Sequence, residues 1–267
     1  MANYNRNVSE RVNREREAHD EHDVLGENIR VKQRFPHVSS SPTIMRMEKD
    51  ILAFTDNLKG LRILDLGCGH GEQSLRFLQN GAAFVAGIDI SMNYIDSARQ
   101  SISEAGFPEN TFHCCVMDAH QMDFEDHSFD MVIGRGILHH LDLAVSLAEI
   151  QRVLKVGGRA VFMEPLAANP LLKVFRYLTP KARSMDEKPL SIQDLAMIDS
   201  HWQVNNTYYG LVSAPLAMCT SLLMPENTTN AILRFADWLE QKFNHIKILQ
   251  PLNQYVVLNL MRPKDAL

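Results

Sequence analysis

Residues 62–71 read RILDLGCGHG, with Gly67, Gly69 and Gly71 at every second position. The apolar residues before the glycines are typical of a buried parallel strand, and a helical pattern follows directly. A strand, a glycine-rich turn and a helix form a nucleotide-sized binding site at the carboxyl end of a sheet. Glycine suits such a turn because it accepts a positive φ and lets a ligand lie against bare backbone. The segment therefore predicts a site for a nucleotide-like ligand.

Four acidic residues disfavour a ligand that carries phosphate groups. They lie beside this turn and at the ends of the next two apolar runs. A dinucleotide-binding turn has its third glycine where this chain has Glu72, and a carboxylate there would repel a pyrophosphate. Asp65 precedes the turn, and Asp89 and Asp118 follow the next two apolar runs. Carboxylates make strong charge-assisted hydrogen bonds, so these acids suit a ligand with a ribose diol, an ammonium and a sulfonium group. The pattern indicates S-adenosylmethionine and disfavours a dinucleotide-dependent oxidoreductase.

Five motifs in sequence order resemble those of the class I S-adenosylmethionine-dependent methyltransferases. The resemblance covers residues 58–166 and is greatest to the small-molecule branch, near quinone and natural-product methyltransferases. The motifs are ILDLGCGHG at 63–71, GIDIS at 87–91, MDA at 117–119, FDMVI at 129–133 leading to LHHL at 138–141, and LKVGGR at 154–159 with a strand to 165. The resemblance implies an α/β, Rossmann-like fold with a seven-stranded, mostly parallel sheet and an antiparallel last strand. It also implies helices on both faces, added N-terminal helices, and helical insertions after strands five and six.

The resemblance further implies which residues would bind S-adenosylmethionine, whose product is S-adenosylhomocysteine. The glycine turn would pass the methionine portion, with Asp65 near the ammonium group and Arg135 beside the same end. Asp89 would hold the ribose. Asp118 would face the amino group of the adenine, and its alternative role is a helix cap or a surface acid. The alternative for Arg135 is a surface ion pair. The full expected set is Asp65, Gly67, Cys68, Gly69, Gly71, Asp89, Ile90, Asp118, Ala119 and Arg135, with Ile90 and Ala119 bordering the adenine.

His139, His140 and Glu164 are the candidates for acid–base chemistry, because they follow the fourth and fifth strands. The sulfonium is already a good electrophile, so the protein mainly has to orient the acceptor and exclude water. A hydroxyl or an acidic carbon must also lose a proton, which a histidine oriented by a carboxylate can accept. The hypothesis is a base formed by Glu164 with either histidine, and the alternative is a pair of histidines that only caps or packs. No metal is expected, since the four cysteines lack the spacing of a zinc site.

The chain of 267 residues divides into three segments. Residues 1–57 are expected to form an N-terminal helical lid, with a solvated helix lying on the domain as the alternative. Residues 58–166 are expected to form the S-adenosylmethionine-binding core, and residues 167–267 substrate-pocket insertions and the closing strands of the same sheet. Phe175 and Tyr177 in the first insertion suit a lipophilic or aromatic acceptor. The second insertion is expected either to cover the pocket or to form the face of a homodimer.

Composition disfavours several other kinds of protein. The net charge is −5 and there is no concentrated basic arm, so nucleic acid is not expected as a partner. The N-terminal residues lack the apolar run of a secretory signal, and the longest apolar region, residues 211–224, is too short and interrupted to span a membrane. Cysteines without a disulfide pattern favour a cytoplasmic location.

The sequence therefore predicts a methyltransferase that modifies a small-molecule acceptor by O-, C- or N-methylation, with a secondary metabolite or a quinone-like or lipophilic compound as the acceptor. One alternative is an enzyme of the same fold that binds S-adenosylmethionine and catalyses a cyclisation or rearrangement, because fold does not determine chemistry. The other is a non-catalytic binding partner, which the intact Asp65, glycine turn and Asp89 disfavour.

Overall fold

The computed structural model describes residues 30–263, apart from 31, 55–56 and 179–186. Most of the expected N-terminal lid therefore lies outside the described residues. The described chain forms one eight-stranded sheet surrounded by helices. The strands are β1 (Arg62–Leu66), β2 (Phe84–Asp89), β3 (Phe112–Val116), β4 (Phe129–Arg135), β5 (Leu154–Pro165), β6 (Gln203–Val204), β7 (Thr207–Tyr209) and β8 (Tyr255–Met261).

The strand order is β3-β2-β1-β4-β5-β8-β6, with β7 also paired to β8. Strands β1 to β5 pair in parallel, whereas β8 runs antiparallel to β5, β6 and β7. The sequence predicted one strand over residues 202–209, but the structure interrupts it at Asn205 and Asn206. Since both pieces pair with β8, they occupy one position at the sheet edge, and the sheet has the predicted seven strand positions.

The helices are bounded as follows: α1 (Pro36–Ser40), α2 (Pro42–Ala53), α3 (Glu72–Gln79), α4 (Met92–Glu104), α5 (Leu143–Val153), α6 (Pro170–Leu178), α7 (Ile192–His201), α8 (Ser213–Leu223) and α9 (Ala231–Phe243). Short 3₁₀ turns cover Glu109–Thr111, Leu138–His140 and Lys247–Leu252. Side-chain caps start several of the helices. Ser91, Asp142, Ser191 and Asn230 each accept a hydrogen bond from a backbone N–H in the first turn, which satisfies one of the unpaired donors there. None of the described helices combines the length and the apolar composition needed to cross a bilayer.

Alternation along the strands divides the apolar core between the two faces of the sheet. Ile63 points into one buried cluster and Leu64 into the other, because successive side chains of a strand face opposite ways. Phe77 of α3 and Ile95 of α4 belong to the cluster of Ile63, whereas Ile150 of α5 belongs to the cluster of Leu64. The prediction of helices on both faces is confirmed.

The N-terminal helices pack against the helical insertion between β7 and β8. Nδ1 of His37 lies 2.8 Å from the Thr220 hydroxyl of α8, and the Thr43 hydroxyl donates to Asp237 of α9 at 2.9 Å. Glu240 of α9 is buried and accepts hydrogen bonds from the Val212 and Ser213 N–H groups at the start of α8. Helices α1 and α2 and the insertion helices α8 and α9 therefore form one helical layer beside the sheet.

Candidate active site

A cleft of about 210 Å³ lies at the carboxyl ends of β1, β2 and β4. Parallel strands bring their carboxyl ends to one edge, so residues from separate motifs meet there. The predicted residues that line this cleft are Gly67, Gly69, Asp89, Ile90, Asp118, Ala119, Arg135 and His140. Asp65, Cys68, Gly71, His139 and Glu164 lie outside the lining. Tyr94, His120 and Ile137 also line the cleft, although sequence reasoning did not select them.

The three glycines of the turn differ in the space available for a side chain at each position. All three have positive φ, at 71°, 51° and 80° for Gly67, Gly69 and Gly71. A Cβ on Gly67 would lie 2.8 Å from Ile137 Cδ1, and one on Gly71 would lie 2.7 Å from Ala98 Cβ. A Cβ on Gly69 would meet nothing within 4 Å. Gly67 and Gly71 are thus required for packing, whereas Gly69 leaves space for a ligand.

Asp89 joins the end of β2 to the glycine turn. Its Oδ2 accepts a hydrogen bond from the Gly69 N–H at 3.1 Å, and its Oδ1 accepts one from the Ser91 N–H at 3.0 Å. A carboxylate has about four lone-pair sites. Asp89 can therefore hold the turn and still accept hydrogen bonds from a diol in the cleft.

Asp118 is held by a hydrogen-bonded chain through a buried histidine. The Asp142 N–H donates to Nε2 of His120 at 2.8 Å, so the Nδ1 atom carries the ring proton of the neutral imidazole. This Nδ1 donates to Asp118 Oδ1 at 2.6 Å, and the His120 N–H donates to the same oxygen at 2.9 Å. An aspartate commonly accepts a hydrogen bond from the backbone N–H two residues on, so the spacing of Asp118 and His120 in the sequence is itself a signal for this contact.

Asp65 lies behind the turn, where it is buried and accepts a hydrogen bond from the Ser74 hydroxyl at 2.6 Å. Burial raises the pKa of Asp65 to about 6, the Ser74 hydrogen bond opposes this, and the negative charge of Asp89 adds to it. A cationic group bound nearby would favour the ionised form of this carboxyl group.

Glu164, at the end of β5, organises the turn that carries the two histidines. It is fully buried, and its Oε1 accepts hydrogen bonds from the Ile137 and Leu138 N–H groups at 3.0 and 2.8 Å. Its Oε2 lies 2.7 Å from Nδ1 of His139. The structure thus pairs Glu164 with the buried His139, while His140 lines the cleft with its ring centroid 4.2 Å from that of His139.

Arg135, at the end of β4, lines the cleft and forms an ion pair with Glu48 of α2. No sequence motif indicated this partner, because Glu48 precedes the first motif and lies on a separate helix. Helix α2 therefore contributes to the side of the cleft next to Arg135.

Residues 64–162 match the methyltransferase domain family. Two curated relatives match over 123 residues, which is 45% of this chain. One is the 2-phytyl-1,4-naphtoquinone methyltransferase of Nostoc punctiforme, at 32% identity over 53% of that protein. The other is the demethylmenaquinone methyltransferase of Staphylococcus aureus, at 35% identity over 48% of that protein. The match spans about half the length of each relative.

The fold is also similar to that of solved methyltransferase structures. Geranyl diphosphate C-methyltransferase from Streptomyces coelicolor A3(2) superposes with a TM-score of 0.57 at 15% identity. The superposition covers 81% of this chain and 77% of that one. At this identity the likeness is one of fold.

Proposed function

We propose, from the premise that residues 64–162 form a methyltransferase domain, that this protein transfers a methyl group from S-adenosylmethionine to a small-molecule acceptor. The observation that carries the proposal is the cleft in which the open backbone at Gly69 lies beside the carboxylates of Asp89 and Asp118. Residues 58–166 form the cofactor-binding core in this proposal, and residues 167–267 contribute to the acceptor pocket. S-adenosylmethionine supplies the electrophilic methyl group when it is bound.

The residues of the cleft fit that cofactor. Asp89 accepts hydrogen bonds from the ribose hydroxyls, and the open space at Gly69 admits the methionine portion against bare backbone. Ile90 and Ala119 offer apolar contact to the adenine, and Asp118, held by His120, accepts from its amino group. This accounts for a cleft that combines bare backbone, apolar walls and carboxylates.

His140 is the proposed proton acceptor, because it lines the cleft. His139 and Glu164 act as positioning residues, since they form the buried base of the turn that carries His140. An acceptor placed against His140 would be oriented for attack on the methyl group.

The proposed acceptor is a lipophilic, ring-containing compound of the quinone type. The two quinone methyltransferases that the chain resembles support this class. Since both relatives are named methyltransferases, the cyclisation alternative is not favoured. We also propose a cytoplasmic location. A homodimer through the insertions stays a prediction, which sedimentation of the purified chain would test.

Calorimetry with S-adenosylhomocysteine tests cofactor binding, and a radiolabelled methyl donor with a panel of reduced naphthoquinones tests transfer. Asp89→Asn should weaken S-adenosylhomocysteine binding by about 10- to 150-fold, because a hydrogen bond to a charged group contributes about 1.5–3 kcal/mol. Asp96→Asn is the matched control, because Asp96 is an exposed residue of α4 whose side chain pairs with Arg99. Equal affinities in the two variants, or no binding by the wild-type protein, would contradict the proposal.

A further inference from the structure

We propose that His139, His140 and Glu187 form a binding site for a borderline divalent transition metal such as Zn²⁺ at the rim of the cleft. One ligand atom from each residue can be chosen so that all three lie within 4.8 Å of one another. Nε2 of His139 is 3.9 Å from a carboxylate oxygen of Glu187. Two imidazole nitrogens and one carboxylate oxygen are a donor set that suits zinc and its neighbours in the first transition row.

His139 is prepared for such a role by Glu164. The backbone N–H groups of Ile137 and Leu138 donate to Glu164, which therefore acts as an acceptor. Its other oxygen accepts a hydrogen bond from His139 Nδ1, so the lone pair of the neutral imidazole lies on Nε2, the atom that lies 3.9 Å from Glu187. A metal-binding histidine usually donates its second N–H to a carboxylate in this way, which holds the ring and raises its basicity.

Glu187 belongs to a segment that is fixed to the histidine turn and to β5. The Lys188 N–H donates to the His139 carbonyl at 3.0 Å. Leu190 then donates to the Pro165 carbonyl at 2.9 Å, next to Glu164. Because these backbone hydrogen bonds set the path of the chain, the Glu187 carboxylate is partly buried beside His139. The sequence predicted no metal site, and it could not show this one, since its ligands come from distant parts of the chain.

The position of the site suggests what the metal would do. His140 is shared between this site and the cleft. Three protein ligands leave a coordination position open for an exogenous oxygen. Resting on the proposed function, the inference is that the metal would bind an oxygen of the acceptor and favour its deprotonated form, with the proton released to solvent. A His140 nitrogen that coordinates the metal cannot also accept that proton, so in the metal-bound protein the metal would replace His140 in that role. Without a metal, His139 lies between the carboxylates of Glu164 and Glu187, and titration with metal distinguishes a metal site from this arrangement.

The test is titration of the full, chelator-treated chain with Co²⁺, followed by visible ligand-field absorption, and with Zn²⁺, followed by calorimetry. We expect saturation at one equivalent. Glu187→Gln and His140→Gln should each weaken the affinity at least about tenfold, and Glu164→Gln should weaken it by about 10- to 100-fold. His201→Gln and Glu226→Gln, at exposed positions in other parts of the fold, are matched controls and should leave the affinity unchanged. Failure to saturate, binding that Glu187→Gln does not alter, or charge-transfer bands typical of thiolate ligands would overturn the inference.

A parallel measurement separates this inference from the proposed function. Glu187→Gln should bind S-adenosylhomocysteine as the wild-type protein does, because Glu187 lies outside the cleft lining. Metal binding without any methyl transfer would refute the proposed function and leave the metal site standing. Methyl transfer by a chain that binds no metal would refute the metal site and leave the proposed function standing.

Discussion

Alanine at Gly71 should destabilise the protein more than alanine at Gly69, although both glycines have positive φ. The difference lies in the surroundings. A Cβ on Gly71 would lie 2.7 Å from the Cβ and 2.9 Å from the Cα of Ala98, whose position is set by α4. A Cβ on Gly69 would enter open space in the cleft. The two substitutions therefore separate packing from ligand binding within one turn.

The magnitudes follow from two costs. A left-handed conformation costs a residue with a side chain about 1–2 kcal/mol, and both variants incur this cost. Overpacking adds about 1–3 kcal/mol at Gly71 only, which gives about 2–5 kcal/mol in total. At about 2–4 °C per kcal/mol for a domain of this size, Gly71→Ala should melt about 2–12 °C below Gly69→Ala.

Thermal unfolding followed by circular dichroism measures the loss of stability, and calorimetry with S-adenosylhomocysteine measures the loss of ligand affinity. Gly69→Ala should lose about tenfold or more in affinity, because its methyl group occupies ligand space. If Gly69→Ala melts as low as Gly71→Ala, or if it binds S-adenosylhomocysteine as tightly as the wild-type protein, the assigned roles of the two glycines are wrong.

Two further predictions concern buried carboxylates. Folding raises the pKa of Asp65 from 3.8 to about 6, so its stabilising contribution is complete below pH 3.8 and is lost as the pH rises through about 6. Between these two pH values, the free energy of unfolding measured in urea should fall by about 3 kcal/mol less in Asp65→Asn than in the wild-type protein. The same dependence of this free energy on pH in both proteins would contradict the prediction. Glu240→Gln should cost about 1–3 kcal/mol of stability, because the Val212 and Ser213 N–H groups both donate to the Glu240 carboxylate at 2.6 Å. The exposed control Glu226→Gln should stay within about 0.5 kcal/mol of the wild-type protein, and equal melting temperatures for the two variants would refute the assignment.

The sequence was sufficient for a mostly parallel sheet with an antiparallel last strand and for much of the cleft lining. Gly69, Asp89 and Asp118 belong to separate motifs, yet each follows a parallel strand, and such strands end at one edge. The pattern of apolar runs therefore predicts their proximity without any knowledge of side-chain contacts.

The sequence was insufficient where a side chain's direction or a distant partner decides the outcome. It did not distinguish His139 from His140, because the distinction depends on how the 3₁₀ turn closes over Glu164. It did not identify Glu48 as the partner of Arg135, since that contact depends on the docking of α2. Short-range patterns do not encode these tertiary contacts.

The helical layer formed by the first and last described helices has a consequence for biosynthesis. His37 meets Thr220 and Thr43 meets Asp237 across 183 and 194 residues of chain. Protein synthesis proceeds at about 5–20 residues per second, so the partners of α1 and α2 are synthesised about 10–40 s after these helices. Helix α2 also carries Glu48, so the side of the cleft next to Arg135 is completed late in translation. A chain stalled before α9 emerges should therefore hold S-adenosylhomocysteine more weakly than the released protein does.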